Sequence, residues 1–261
     1  MTYLGIDTAA RLGAAQAALC VAQGISWVGR YLVPEGYGKA LTAAEAAQLR
    51  AAGLAILLCW EINAGDMRGG AARGARHGAQ ARQLAEAMGI PPGTAVYFAA
   101  DWDVQPYETQ ACLDYMAAAQ AALGLYQAGV YGGEMICRCM SAAGYKYLWQ
   151  CVAWTTEFLP EASAIQYAWQ GSTDAQQMAA RLGFGVDLDQ CMDLKAAGLW
   201  LAKEPPGPWY ADTMRWAQKE GICDGTRPED FATRAEVAQM IRNYNRRFEA
   251  EDAKTVSGLL N

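Results

Sequence analysis

Eight extended, apolar runs alternate with alanine-rich stretches of helical period over the first 190 residues of this chain. The runs are YLGID (3–7), WVGRYLV (27–33), LAILLCWE (54–61), AVYFAAD (95–101), QAGVYG (127–132), LWQCVAW (148–154), AIQYAWQ (164–170) and FGVDLDQ (184–190). Helical patterning fills 12–23, 42–52, 74–89, 107–123 and 134–143, and glycines at 24, 53, 89, 124 and 144 stand where those helices should stop. Strand–helix alternation builds a parallel sheet with helices packed outside it. Eight repeats in so short a length predict the α/β class and a compact (β/α)8 TIM barrel with reduced later helices. The competing open, doubly wound sheet would carry a phosphate turn after its first strand, and GIDTAARLG does not fit G-x-G-x-x-G.

Four of the runs end on a carboxylate: Asp7, Glu61, Asp101 with Asp103 in AVYFAADWD, and Asp187 in FGVD. A strand buried on both faces gains nothing from an acid, whereas the carboxyl-terminal rim of a barrel is where α/β enzymes gather their working groups. Positions 97, 99, 101 and 103 share a side of an extended chain, so Asp101 and Asp103 should face one way and Trp102 the other. Two residues along a strand is roughly 6.5–7 Å, close enough for the carboxylates to perturb each other. Asp7, Glu61, Asp101 and Asp103 are the candidate catalytic residues. Their competing roles are helix capping and pairing with Arg30.

The chain holds one histidine, His77, which reads as a surface or helix-end residue at the start of the third helix. Zinc amidases and H-E-x-x-H proteases need at least two histidines, so carboxylates are the expected working groups. Eight cysteines, at 20, 59, 112, 137, 139, 151, 191 and 223, form no zinc-type spacing and read as packed thiols; no metal and no cofactor is expected. A net charge of −6 with no basic tract argues against nucleic acid as a partner. No apolar run approaches the roughly 20 residues of a membrane span. MTYLGIDTAA lacks the basic and apolar regions of a signal peptide, so the expectation is synthesis in the cytoplasm, with any action outside needing separate release.

Tyr31, Tyr97, Tyr131, Trp154 and Trp169 fall at or near strand ends, where flat rings can stack on sugar faces. The candidate substrate-binding residues are Arg30, Tyr31, Tyr97, Tyr131, Trp169 and Asp187. Residues 65–78 (GDMRGGAARGARHG) lack the Lys-Ser/Thr of a phosphate loop and read as a mobile substrate-side loop before a helix.

Residues 201–208 (LAKEPPGP) carry three prolines in four positions and read as a linker between a barrel over 1–200 and a helical module over 209–261. The module reads as a helix (210–220), a turn region (221–225) and a second helix capped by Thr233 with Glu236. Two helices bury little by themselves. They should dock on the barrel or on another copy of the chain.

GIDT, WVGRYL, KALTAAEAAQLRAAGL, AVYFAADWDV, AGVYGG and GVDLDQ, in that order, resemble the glycoside hydrolase-like domain known as domain of unknown function 1906. That family is similar to the family-25 glycoside hydrolases, the barrel lysozymes that cleave peptidoglycan. The resemblance spans about residues 3–190. It implies a barrel mouth that binds bacterial cell-wall glycan, with Asp7 as the first-strand aspartate and Asp187 as the acid of the last-strand V-D motif. Asp101-x-Asp103 aligns with the lysozymes' Asp-x-Glu, so the position of the proton donor is one methylene shorter here. The tail resembles one S-layer homology repeat, with Trp209, Asp224, Arg234 and Glu236 at motif positions, and implies binding to a secondary wall polymer. Such repeats usually come in threes, so a single copy leaves docking or homo-oligomerisation through the C-terminal helices open. Similar tails on barrel hydrolases suggest a phage endolysin or a related wall-lytic protein.

The resulting expectation is a muramidase-type glycosidase acting on the cell wall. Asp103 or Glu61 would be the general acid, and Asp101 or Asp7 would stabilise the transition state or orient the nucleophile. The alternative is a non-catalytic wall-glycan binder on the same barrel.

Overall fold

Strand pairing closes the apolar runs into a barrel in the order of the sequence: β1 (Tyr3–Asp7), β2 (Trp27–Tyr31), β3 (Ala55–Trp60), β4 (Ala95–Ala99), β5 (Gln127–Gly132), β6 (Tyr147–Cys151), β7 (Ala164–Ala168) and β8 (Asp187–Cys191). The helices are α1 (Ala14–Ala22), α2 (Ala43–Ala51), α3 (Gly70–Ala87), α4 (Thr109–Leu123), α5 (Glu134–Ala142) and α6 (Thr173–Leu182). The structure, a computed structural model, describes residues 2–202, 237 and 239–243. Contacts divide the chain into Met1–Ala202 and Lys203–Asn261. In the second unit the described residues are helical. Trp209, Asp224, Arg234 and Glu236, the helix over 210–220 and most of the linker lie outside the described residues.

The first seven strands are parallel, but β8 runs antiparallel to both of its neighbours, β7 and β1. This departs from the uniform (β/α)8 pattern. The connection from Ala168 through α6 to Asp187 starts and ends at the same rim, so the chain needs no crossover to the far end. Gly183, at φ 82°, ends α6 in the left-handed conformation and turns the chain toward β8. β6 and β7 are joined without a helix, which is how the fold economises on length.

Alternation along each strand sorts the core into two layers. Outward-facing Ile6, Val28, Ile56, Leu58, Val96, Phe98 and Val130 are buried against the helices. Inward-facing Trp27, Ala55, Leu57, Ala95, Tyr97 and Trp149 fill the barrel. The segment after β8 then seals the end where the parallel strands begin: Trp200 bridges to Ile56, and the Ala95 N–H donates to the Gly198 carbonyl (2.8 Å). The opposite rim is left open to hold a site.

Two sequence expectations are corrected by the fold. The glycine-rich 65–78 stretch is not a loop; α3 begins at Gly70, and Gly74 and Gly78 face α4. A Cβ at either would run into the backbone carbonyl oxygens of Tyr115 and Ala119, so these glycines permit close helix packing. His77 is not at a helix end. It lies mid-α3 and buried, with Nδ1 2.8 Å from the Tyr115 hydroxyl and its ring 5.2 Å from Trp60. The seven cysteines among the described residues are free thiols. No helix among the described residues is long and apolar enough to cross a membrane.

Candidate active site at the open rim

Inward parity at the strand ends delivers four of the expected carboxylates to one place. Asp7 closes β1, Asp187 opens β8 directly opposite it in register, and Glu61 and Asp101 follow β3 and β4. They line a cavity of ≈ 110 Å³ together with Tyr31, Tyr131, Trp149 and Gln166. Because β8 is reversed, Asp187 reaches the rim from a strand's beginning, not from its tip. A larger depression of ≈ 430 Å³, lined by Gln127, Lys146 and Tyr147, lies where the parallel strands begin, and no carboxylate is among the described residues that line it.

Gln166 organises the floor. Its Oε1 accepts from the Tyr131 hydroxyl (3.0 Å), so its Nε2 faces and donates to Asp7 Oδ2 (2.8 Å) and Asp187 Oδ2 (3.3 Å). One amide thus holds two carboxylates side by side. The Gln170 backbone N–H donates to the other Asp187 oxygen. On the facing side, Asp66 Oδ2 accepts from the backbone N–H groups of Ile62 and Asn63 (both 3.0 Å) and fixes the turn that carries Glu61. Lys39 Nζ lies 3.2 Å from Glu61 Oε1.

Burial governs the protonation of this cluster. Desolvation, followed by the charge of Asp187, lifts Asp7 from the usual 3.8 to about 7. Desolvation lifts Asp187 to about 6, partly offset by the Gln170 N–H. Glu61 and Asp101 are also raised by desolvation, with Lys39 pulling both back. A site of this kind holds protonated and ionised carboxyls together near neutral pH, which acid–base chemistry requires.

Other expected site residues stand elsewhere. Asp103 is exposed and does not line the cavity, because the chain has already left the sheet after Ala99. Trp102 is tucked down with Nε1 donating to Glu108 Oε2 (3.0 Å), Val104 is buried, and Asp103 between them is turned to solvent. Arg30 points out of the barrel and is fully buried. It donates to Glu45 (2.8 Å) and to the Thr8 carbonyl, so it is a structural ion pair and not a substrate contact. Tyr97 is wholly inside the barrel, donating to the Ala197 carbonyl (2.7 Å), and cannot meet a ligand. Trp169 is 60% exposed just beyond β7 and is absent from the cavity lining. Tyr31 and Tyr131 do line it. At the start of α2, Thr42 Oγ1 accepts from the Glu45 N–H, while the Glu45 carboxylate turns to Arg30 and the Leu12 N–H.

Sequence reasoning passed over Lys39, Trp149, Gln166 and Asp189. Gln166 had a legible signal, since it is the one polar residue in the run AIQYA apart from the tyrosine hydroxyl. Asp189 shares parity with Asp187 and so faces the same interior.

The same fold occurs in solved structures. The Mycobacterium tuberculosis Tat-secreted protein Rv2525c, in complex with L-tartrate, is similar at a TM-score of 0.64 and 24% identity, over 76% of this chain and 98% of that one. An uncharacterized B. stearothermophilus protein is similar at a TM-score of 0.55 and 16% identity, over 76% of this chain and 100% of that one. The modular autolysin LytC from Streptococcus pneumoniae is similar at a TM-score of 0.51 and 13% identity, over 72% of this chain and 46% of that one. No curated protein matches the chain in sequence. Residues 17–192 match the model of the Rv2525c-like, glycoside hydrolase-like domain, and the chain belongs to that family.

Proposed function

We propose that the chain is a glycosidase acting on bacterial cell-wall glycan, with Glu61 as general acid and Asp101 as the carboxylate that stabilises positive charge developing on the sugar. The observation behind this reading is the convergence of Asp7, Glu61, Asp101 and Asp187 on one cavity, each with its proton affinity raised by burial. Glycoside hydrolysis needs a protonated carboxyl to accompany the leaving oxygen and an ionised one to face the oxocarbenium-like centre. Asp7 and Asp187, clamped by Gln166, would hold the sugar and orient the nucleophile. The cavity is smaller than the roughly 300–1,000 Å³ of pockets that enclose a ligand, which suits one sugar substituent of a polymer lying across the rim.

A second reading, a wall-glycan binder without turnover, is favoured by one observation. Asp103, at the position the lytic relatives use for a proton donor, is turned to solvent. Incubating purified walls with wild type and Glu61→Gln separates the two. Release of reducing ends by wild type, falling by roughly 10²–10⁴ in the variant at unchanged wall binding, supports hydrolysis. Sedimentation with walls and no reducing ends from wild type assigns the binder. Homo-oligomerisation and secondary-polymer binding through residues 209–261 are tested by the mass of the full chain in solution and by wall binding after removal of that segment.

A further inference from the structure

Beneath the cavity floor lies an acid that the glycosidase reading does not use. Asp189 is 0% exposed, one inward position deeper than Asp187 on β8 and paired in register with Gly5 of β1. Trp149 Nε1 donates to its Oδ1 (2.8 Å). Its Oδ2 is buried and meets no donor among the described residues, yet its carboxyl is within hydrogen-bonding reach of Asp7, another carboxyl. The ionisable groups whose charges act on it or that it acts on are Asp7 on β1, Asp187 and Cys191 on β8, Tyr131 on β5 and Tyr167 on β7. None is a cation. Two buried carboxyls in contact cannot both be ionised, and neither can donate unless it carries a proton.

We infer that Asp189 is a neutral carboxylic acid whose O–H is donated to Asp7, which makes it the positioning residue of the cavity floor. Asp7, which lines the cavity, then receives one hydrogen bond from Gln166 at its side and one from Asp189 below. Burial of Asp189 with no counter-ion among the described residues agrees with this, as desolvation drives its proton affinity well above the carboxylate range. Asparagine can reproduce the arrangement, accepting from Trp149 with its oxygen and donating to Asp7 with its nitrogen. Leucine cannot.

Infrared difference spectra of the full chain at about pH 9, where an ordinary aspartate is ionised, read the proton directly. The carbonyl stretch of a protonated carboxyl is expected in wild type, lost in Asp189→Asn and retained in Asp7→Asn. Absence of the band in wild type, its survival in Asp189→Asn, or its loss in Asp7→Asn overturns the assignment. Wild type and Asp7→Asn suffice if Asp189→Asn does not fold. A second arm rests on the glycosidase reading. Asp189→Asn should keep wall turnover within about threefold, and Asp189→Leu should lower it at least about tenfold, with the alkaline limb of the residual pH profile displaced. Loss of turnover in Asp189→Asn with its fold intact contradicts a neutral Asp189. A wild type with no turnover removes the glycosidase reading and leaves the infrared test standing.

Discussion

Lys39 sets its ammonium 3.2 Å from the Glu61 carboxylate and 4.1 Å from the centre of the Tyr31 ring. Among the described residues the cavity lining holds no cation, and this lysine, brought in by the loop after β2, is a positive charge that touches the acid cluster from its edge. It opposes the desolvation that raises Glu61. Replacing it with Met should raise the proton affinity of Glu61 further. Where turnover needs Glu61 protonated, the alkaline limb of the pH profile of wall hydrolysis should move to higher pH. An unmoved limb would separate Glu61 from the proton-donating role.

Asp103 and Asp101 give opposite expectations for one assay. Asp103→Asn should leave wall turnover within about twofold, since its side chain is in solvent and away from the cavity. Asp101→Asn should cost at least about a hundredfold. Equal losses in the two variants would restore the aligned Asp-x-Asp pair as the catalytic unit.

The raised acids make stability depend on pH in a defined direction. Asp7 and Asp187 bind protons more tightly folded than unfolded, at about 7 and about 6 against the usual 3.8. The folded chain therefore holds more protons across that interval, and stability falls as pH rises from about 4 to about 7. For buried Asp7 the loss is on the order of a few kcal/mol. Thermal melts should show Asp7→Asn flattening this slope and melting higher than wild type at about pH 8. A variant that melts lower than wild type by the same amount at every pH contradicts the linkage.

Gly74→Ala should destabilise the barrel by about 1–3 kcal/mol, because the added carbon meets the Tyr115 carbonyl and α3 must move off α4. Gly53→Ala, where a Cβ has open space at φ 94°, should lose only the smaller strain of its backbone conformation. Chemical denaturation of both variants checks the order.

Arg30→Met strands Glu45 as a buried charge and should cost about 3–5 kcal/mol, while Arg30→Met with Glu45→Leu should recover much of it. Wall binding by the folded fraction should be unchanged in both. A specific loss of glycan binding would return Arg30 to the site.

The barrel is legible in the sequence because alternation and strand tips are local properties. A run such as AILLCW suits a strand buried on both sides, and an acid following one is too costly to bury without use, which is why Asp7, Glu61, Asp101 and Asp187 stand out from the residue order alone. The same local logic failed one residue pair past a strand end. Parity placed Asp103 beside Asp101, but parity holds only while the chain stays in the sheet, and β4 ends at Ala99. It also misplaced Arg30 and Tyr97. Arg30 lies on the outward face, paired in register with Leu58, and Tyr97 lies on the inward face but too deep along the barrel axis to reach the rim.

What the sequence determined by itself is the periodicity, the number of strands and the carboxylates that stand at their ends. Tertiary structure alone decided the reversal of β8, the Gln166 clamp across residues 7 and 187, the arrival of Lys39 and the burial of Asp189 against Asp7. Each joins residues far apart in the chain, and no local pattern records a distance across the barrel. Protonation belongs to the same class. An aspartate in a sequence has the proton affinity of any other, and only the closed barrel, by excluding water and crowding carboxyls together, separates their ionisation.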